Sequence, residues 1–327
     1  MTGATILAPE GPVLSPDEAR FFRDADPWGF ILFARNVETA AQLRALTAAL
    51  RDAVGRDAPV FMDQEGGTVQ RLRPPLARNW RDARDQPGGP RAVFLRHRLM
   101  AAELRAVGVD GNCAPVIDLA GPDTHPFLQR RIWSDDPAQV ASSARAAARG
   151  LLAGGVLPVI KHLPGHGAAN ADSHHALPRC TLPLATLEAR DFAPVRALAD
   201  LPLGMTAHVV FDALDAEAPA THSSPALTYL RRDLGFAGLL MTDDLGMNAL
   251  GGTMAERAAR AIAAGCDLAL HCSGDLSEMQ AVAAAAGTLT GGAARRAETA
   301  LSARIAPPAI DIAALAAEFD SLDSHRA

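Results

Sequence analysis

Eight short apolar runs recur along the chain, each ending in polar or glycine-rich residues: 4–8, 29–34, 60–63, 112–119, 157–162, 203–210, 238–242 and 266–271. They are too short for helices and rich in Val, Ile, Leu and Met, as strands buried on both faces are. Helical patterns lie between several of them. Residues 38–54 place Leu43, Leu46, Leu50 and Val54 at three-to-four spacing before a C-capping Gly55. The stretches 93–107, 137–153 and 254–264 read similarly, the second opening on Pro137 and the third stopping at Gly265. Strands alternating with helices predict a parallel sheet with right-handed crossovers. Closing eight strands into a (β/α)8 barrel is the economical solution, with a doubly wound open sheet as the alternative.

The 327 residues fit one barrel domain rather than two average ones. Beyond about residue 306, Pro307-Pro308 precede a helix-like run, expected to be a terminal helix on the outside. The net charge of −6 and the lack of a basic block argue against a nucleic-acid partner. Arg71, Arg73, Arg78, Arg81 and Arg84 do cluster, but Asp82 and Asp85 interleave them, as in a solvated loop beside a pocket. Cys113, Cys180, Cys266 and Cys272 form neither a CxxC pair nor a disulfide framework. The first residues lack a basic segment followed by an apolar one, and no apolar stretch reaches the roughly 18 residues of a membrane span. The expectation is a reduced, cytoplasmic, monomeric enzyme without metal or cofactor.

Polar residues crowd the C-terminal ends of the strands, where α/β barrels carry their chemistry. Asp63-Gln64-Glu65-Gly66-Gly67, continuing to Arg71, sets two carboxylates and an arginine around a flexible turn, a combination suited to gripping hydroxyl groups. The densest segment is Lys161-His162-Leu163-Pro164-Gly165-His166-Gly167 followed by Asp172-Ser173-His174-His175, which puts four of the ten histidines within fourteen positions. A metal site is one reading, but no helical i, i+4 pair is present and Lys161 would set a cation beside the metal. Acid–base catalysis fits better: an imidazole titrates near neutral pH, and Asp172 is close enough to orient His174. At the end of the seventh run stand Asp243 and Asp244, of which period-two alternation turns only one toward a substrate. The one at the site could serve as a nucleophile and the other as a helix N-cap. Arg131 and His208 are weaker pocket candidates, a surface charge and a satisfied interior residue being equally good accounts.

In this order the segments DQEGGTVQR (63–71), KHLPGHG with DSHHALP (161–178) and TDDLGM (242–247) resemble the bacterial β-N-acetylglucosaminidases of glycoside hydrolase family 3. The resemblance extends over roughly residues 5–275 and implies a barrel. It also implies Asp243 as the nucleophile that forms a glycosyl-enzyme intermediate. His174 is then the general acid/base on a loop, paired with Asp172, and Asp63, Arg71, Arg131, Lys161 and His162 hold a terminal N-acetylglucosamine. The implied substrate is the β-1,4 bond to anhydromuramic acid in peptidoglycan fragments, cleaved with retention during cell-wall recycling. A histidine thereby replaces one of the two customary carboxylates, and Lys161 is expected to help keep Asp243 ionised. The chain departs from the family at Gln129-Arg130-Arg131, where Gly-Glu-Arg is usual, at Leu163 in place of Phe, and in the Pro/Arg-rich segment 74–90, which is placed to alter recognition beyond the terminal sugar. Alternatives are a phosphorylase acting on the same bond, a metal-dependent hydrolase built on His162, His166 and His174, and a non-catalytic sugar-binding barrel.

Overall fold

The computed structural model describes residues 1–121, 124, 126–169 and 177–324. Eight parallel strands form one sheet: β1 (Gly3–Leu7), β2 (Pro27–Leu32), β3 (Val60–Met62), β4 (Gly111–Asn112), β5 (Leu157–Leu163), β6 (Leu203–Thr206), β7 (Leu239–Met241) and β8 (Ala269–His271). Their order is β7-β6-β5-β4-β3-β2-β1-β8, and a parallel bridge from Met241 to Leu268 joins the two ends into a barrel. Every residue of these strands is buried, which is why they read as unbroken apolar runs rather than alternating ones.

Helices α1 (Pro16–Ala25), α2 (Ala40–Val54), α3 (Gly89–Arg105) and α4 (Pro137–Ala153) follow β1 to β4 in turn. Farther on, α5 (Ser224–Arg232), α6 (Met254–Ala264) and α7 (Leu276–Ala286) follow β6 to β8. Ser15 and Thr253 cap α1 and α6 with reciprocal glutamate bonds, and α2 ends at Gly55. The third helix starts four residues before the expected 93, because Pro90 opens it from the first turn instead of closing the loop.

Two strands are shorter than their apolar runs. After Asn112 the chain leaves the regular ladder but stays against β5, with Ala114 O accepting from the Val159 amide at 3.0 Å and a bridge joining Val116 to Lys161. The run 203–210 leaves the ladder after Thr206, where His208 turns into the interior, and Val210–Phe211 pairs with Arg179–Cys180 instead. These departures deliver Asp118 and His208 to the barrel mouth.

The opposite end of the barrel is fastened by two buried aspartates. Asp110 accepts from the Val60 amide at 2.8 Å and from Arg51 and Arg304 at 3.0 and 2.7 Å. Asp267 accepts from the Leu240 amide at 2.9 Å and from Arg231 at 2.7 Å, and Arg296 on helix α8 (Gly291–Ser302) closes on it too. Helix α9 (Ile312–Ser324) lies across α3, its Phe319 edge-on to Trp80 at 5.4 Å. Asp320, Asp323 and Glu318 pair with Arg78, Arg81 and Arg91. The arginines of the 74–90 segment are therefore largely spent within the chain.

Candidate active site

The mouth is built outward from β3. Past Asp63 the chain turns into a hairpin of Gln64–Gly66 against Val69–Gln70. Gly66 and Gly67 make its turn at φ 101° and 59°, and a Cβ on them would stand 2.1 Å from the Arg96 guanidinium and 1.7 Å from the Asp82 carboxylate. Arg96, wholly buried, donates to Glu65 O at 2.8 Å and to Arg81 O at 2.6 Å. Asn112 exchanges two hydrogen bonds with the Gln64 backbone, and Gln64 Oε1 accepts from the Arg71 and Leu72 amides. Asp63, Glu65 and Arg71 are thus fixed before any ligand arrives.

Strand β5 supplies the next two groups through an irregularity. Its register against β6 shifts between Lys161 and Leu163, so the consecutive side chains Lys161 and His162 both serve the mouth. Lys161 Nζ donates to Asp63 Oδ1 at 2.8 Å and lies 2.7 Å from Glu65 Oε1. Arg131 clasps Glu65 with two bonds of 2.9 Å, and Arg71 donates to Asp63 Oδ2 at 3.1 Å. Burial opposes ionisation of Asp63 and Glu65, but these cations prevail and hold both below the usual carboxylate range. Lys161 is pushed upward in turn, the two carboxylates outweighing its burial.

His162 Nδ1 donates to Asp118 Oδ2 at 2.7 Å, which leaves Nε2 facing Asp243 Oδ2 at 3.9 Å. The Asp118 carboxylate also accepts from the His166 amide at 2.8 Å. Asp243 lies at the end of β7 in a cavity of about 130 Å³ that it shares with Phe33, Asp63, Arg71 and Met205. Burial would raise its pKa, but His162 and His208, followed by the Asp244 amide and Lys161, bring it below the ordinary value. Lys161 does contribute as expected, though less than the two histidines. Asp244 Oδ1 accepts from the Gly246 and Cys272 amides at 2.9 and 3.1 Å. It therefore caps a turn, whereas the N-cap of α6 is Thr253.

Asp63, Arg71, Arg131, Lys161, His162 and Asp243 thus meet at one end of the barrel. His174 and Asp172 lie outside the described residues. His208, buried and bonded to Thr221 Oγ1 at 2.7 Å and Asp244 O at 3.0 Å, is both satisfied and adjacent to the site. Sequence reasoning left out Asp118 and gave Glu65 no individual role. Asp118 carried the one available signal, a carboxylate near the end of the fourth apolar run. Among the described residues, no group of three or more His, Cys, Asp or Glu is arranged to hold a metal ion.

A parallel barrel with an ionised carboxylate in a cavity ringed by paired charges at its strand ends is the architecture of a glycoside hydrolase. The chain belongs to glycosyl hydrolase family 3, whose N-terminal domain matches residues 17–303. A β-hexosaminidase of Pseudomonas aeruginosa is 38% identical over 290 residues, covering 87% of this chain and 86% of that one. Another from Bordetella pertussis is 37% identical, covering 84% and 82%. Among solved structures, NagZ from Neisseria gonorrhoeae in complex with N-trifluoroacetyl-D-glucosamine superposes with a TM-score of 0.83 at 29% identity, covering 99% of this chain and 98% of that one. A family 3 β-N-acetylglucosaminidase from Paenibacillus gives 0.87 at 27% identity, covering 98% of this chain and 67% of that one. The chain is accordingly an enzyme of the β-N-acetylhexosaminidase type.

Proposed function

We propose that the protein is a retaining exo-β-N-acetylglucosaminidase that removes terminal N-acetylglucosamine from anhydromuramyl peptidoglycan fragments, acting as a cytoplasmic monomer in cell-wall recycling. The observation that carries this reading is Asp243, a carboxylate kept ionised inside a cavity that also holds Asp63 and Arg71. An ionised Asp243 attacks the anomeric carbon as the bond to the leaving oxygen breaks, giving a glycosyl-enzyme. His174 protonates the departing oxygen, with Asp172 orienting the ring. It then takes a proton from water as that water bonds to the anomeric carbon and the bond to Asp243 breaks, freeing the carboxylate. Asp63, Arg71, Arg131, Lys161 and His162 grip the hydroxyl and acetamido groups of the sugar. The β-hexosaminidase and β-N-acetylglucosaminidase activities of the relatives support the sugar and its β configuration.

The test is release of aryl alcohol from an aryl N-acetyl-β-glucosaminide. Asp243→Ala is expected to lose a factor on the order of 10⁴ in kcat, with the first-formed sugar in the β configuration for the wild type. Unchanged turnover in the variant, or an inverted first product, overturns the reading. Product analysis with and without phosphate separates hydrolysis from phosphorolysis.

A further inference from the structure

Helix α9 follows every strand of the barrel in the chain, yet two of its side chains lead back to the sugar site. Asp323 accepts from Gln86 Nε2 at 3.4 Å, and Gln86 Oε1 accepts from Arg96 Nη1 at 2.8 Å. Arg96 Nη2 donates in turn to Glu65 O at 2.8 Å, and the Glu65 carboxylate holds Lys161 and Arg131. Phe319 supplies the second connection. It stands edge-on to Trp80, whose carbonyl accepts from the Gly67 amide at 2.8 Å and whose ring lies 5.9 Å from the Arg96 guanidinium.

Arg96 is the joint of both connections. Its guanidinium occupies the space that Gly66 leaves by lacking a side chain, beside the rings of Trp80 and Trp133. Burial brings it down to about 10 against the opposing charges of Asp323, Asp82 and Glu65, so it stays a cation at neutral pH. Asp323 is the largest of those charges, and α9 alone delivers it. Without it a buried cation is left less compensated and is drawn toward water, away from the Glu65 carbonyl. The nucleophile is fixed separately, at the end of β7, where the Asp244 amide donates to Asp243 Oδ1 at 2.9 Å.

We propose that α9 is a latch on the sugar site, with Arg96 as the positioning residue. Docked through Asp323 and Phe319, the helix holds Glu65, and through it the Lys161 and Arg131 that grip N-acetylglucosamine. The proposal rests on the glycosidase reading above. It separates sugar affinity, which the helix controls, from bond cleavage, which it does not.

The experiment measures kcat and KM on an aryl N-acetyl-β-glucosaminide, with the inhibition constant of free N-acetylglucosamine as a reading of binding alone. Asp323→Ala removes the charge from the helix, and Gln86→Leu cuts the middle of the path without touching the helix. Each is expected to raise KM and the inhibition constant roughly tenfold, as a small displacement of a gripping group does. In both, kcat is expected to stay within about twofold of the wild type. Glu318→Gln loosens the same helix at its exposed pair with Arg91 and is expected to match the wild type. Wild-type constants in both path variants, or a fall in kcat at unaltered KM, overturn the proposal while leaving the glycosidase reading intact. A Glu318→Gln variant as impaired as Asp323→Ala overturns it too, because the helix is then a general brace. Absence of turnover of the aryl glycoside by the wild type overturns the glycosidase reading and the latch with it.

Discussion

Asp118 accepts from the His162 ring, the His162 amide and the His166 amide, yet it is not among the residues lining the sugar cavity. Its work is to select which nitrogen His162 turns toward Asp243. Asp118→Asn preserves the volume but offers the ring either a donor or a weaker acceptor, and so releases the orientation. The expected outcome is a fall in kcat/KM of about 10², with Asp243 still present and the fold intact by circular dichroism. Unaltered kinetics would show that the ring's orientation is irrelevant to turnover. The residue was hard to single out from sequence because a carboxylate near the end of an apolar run looks like the exit of a strand into solvent. Glu65 was obscured differently: a glutamate before Gly66-Gly67 reads as a turn charge, and its partner Arg131 stands far along the chain.

At the scale of elements, the eight strands were legible because burial on both faces leaves little besides apolar side chains in them. Their ends were not, since an apolar run continues past the last ladder bond wherever the chain stays inside, as it does at 113–119 and 207–210. The barrel mouth depends on such continuations pressing on one another. Gly167, just after His166, shows how closely: a Cβ there would lie 1.7 Å from the Leu119 carbonyl oxygen. Because that contact is with backbone, no rotamer change relieves it. Gly167→Ala should therefore push the loop after β5 away from the loop after β4, displacing His166 and the amide that reaches Asp118. The expected result is a loss of at least about tenfold in kcat/KM with a smaller proportional change in melting temperature. A variant with full activity would mean that the two loops can separate without consequence for the site.

For the whole molecule, buried histidines set the response of stability to acid. His97 is enclosed, its ring bonded to the Val93 carbonyl at 2.8 Å, and burial with the help of Arg96 lowers its pKa to about 3. Burial likewise brings His166 and His222 down to about 4. All three titrate near 6.5 when unfolded, so below that pH the unfolded chain takes up protons that the fold refuses. Stability is then complete above about pH 6.5 and falls as the pH drops toward 4. Asp191, raised by burial to about 6, acts in the opposite sense, as do Glu103 and Asp110, which burial also raises. With His208 likewise lowered by burial, the four histidines outnumber the three carboxylates. The melting temperature should decline steadily from about pH 7 to 4.5, and His97→Gln should shallow the decline by up to about 1.4 kcal/mol per pH unit in unfolding free energy. A flat profile over that range would contradict the assignment.

The register shift in β5 also decides what could be moved to another scaffold. On a strand of regular alternation, neighbouring side chains part company, one inward and one toward the surrounding helices. The motif KHLPGHG grafted onto such a strand would deliver its lysine and lose its histidine, or the reverse. The portable unit is thus the β5–β6 pair with its slipped ladder, and a designer who copied only the letters would obtain half a site.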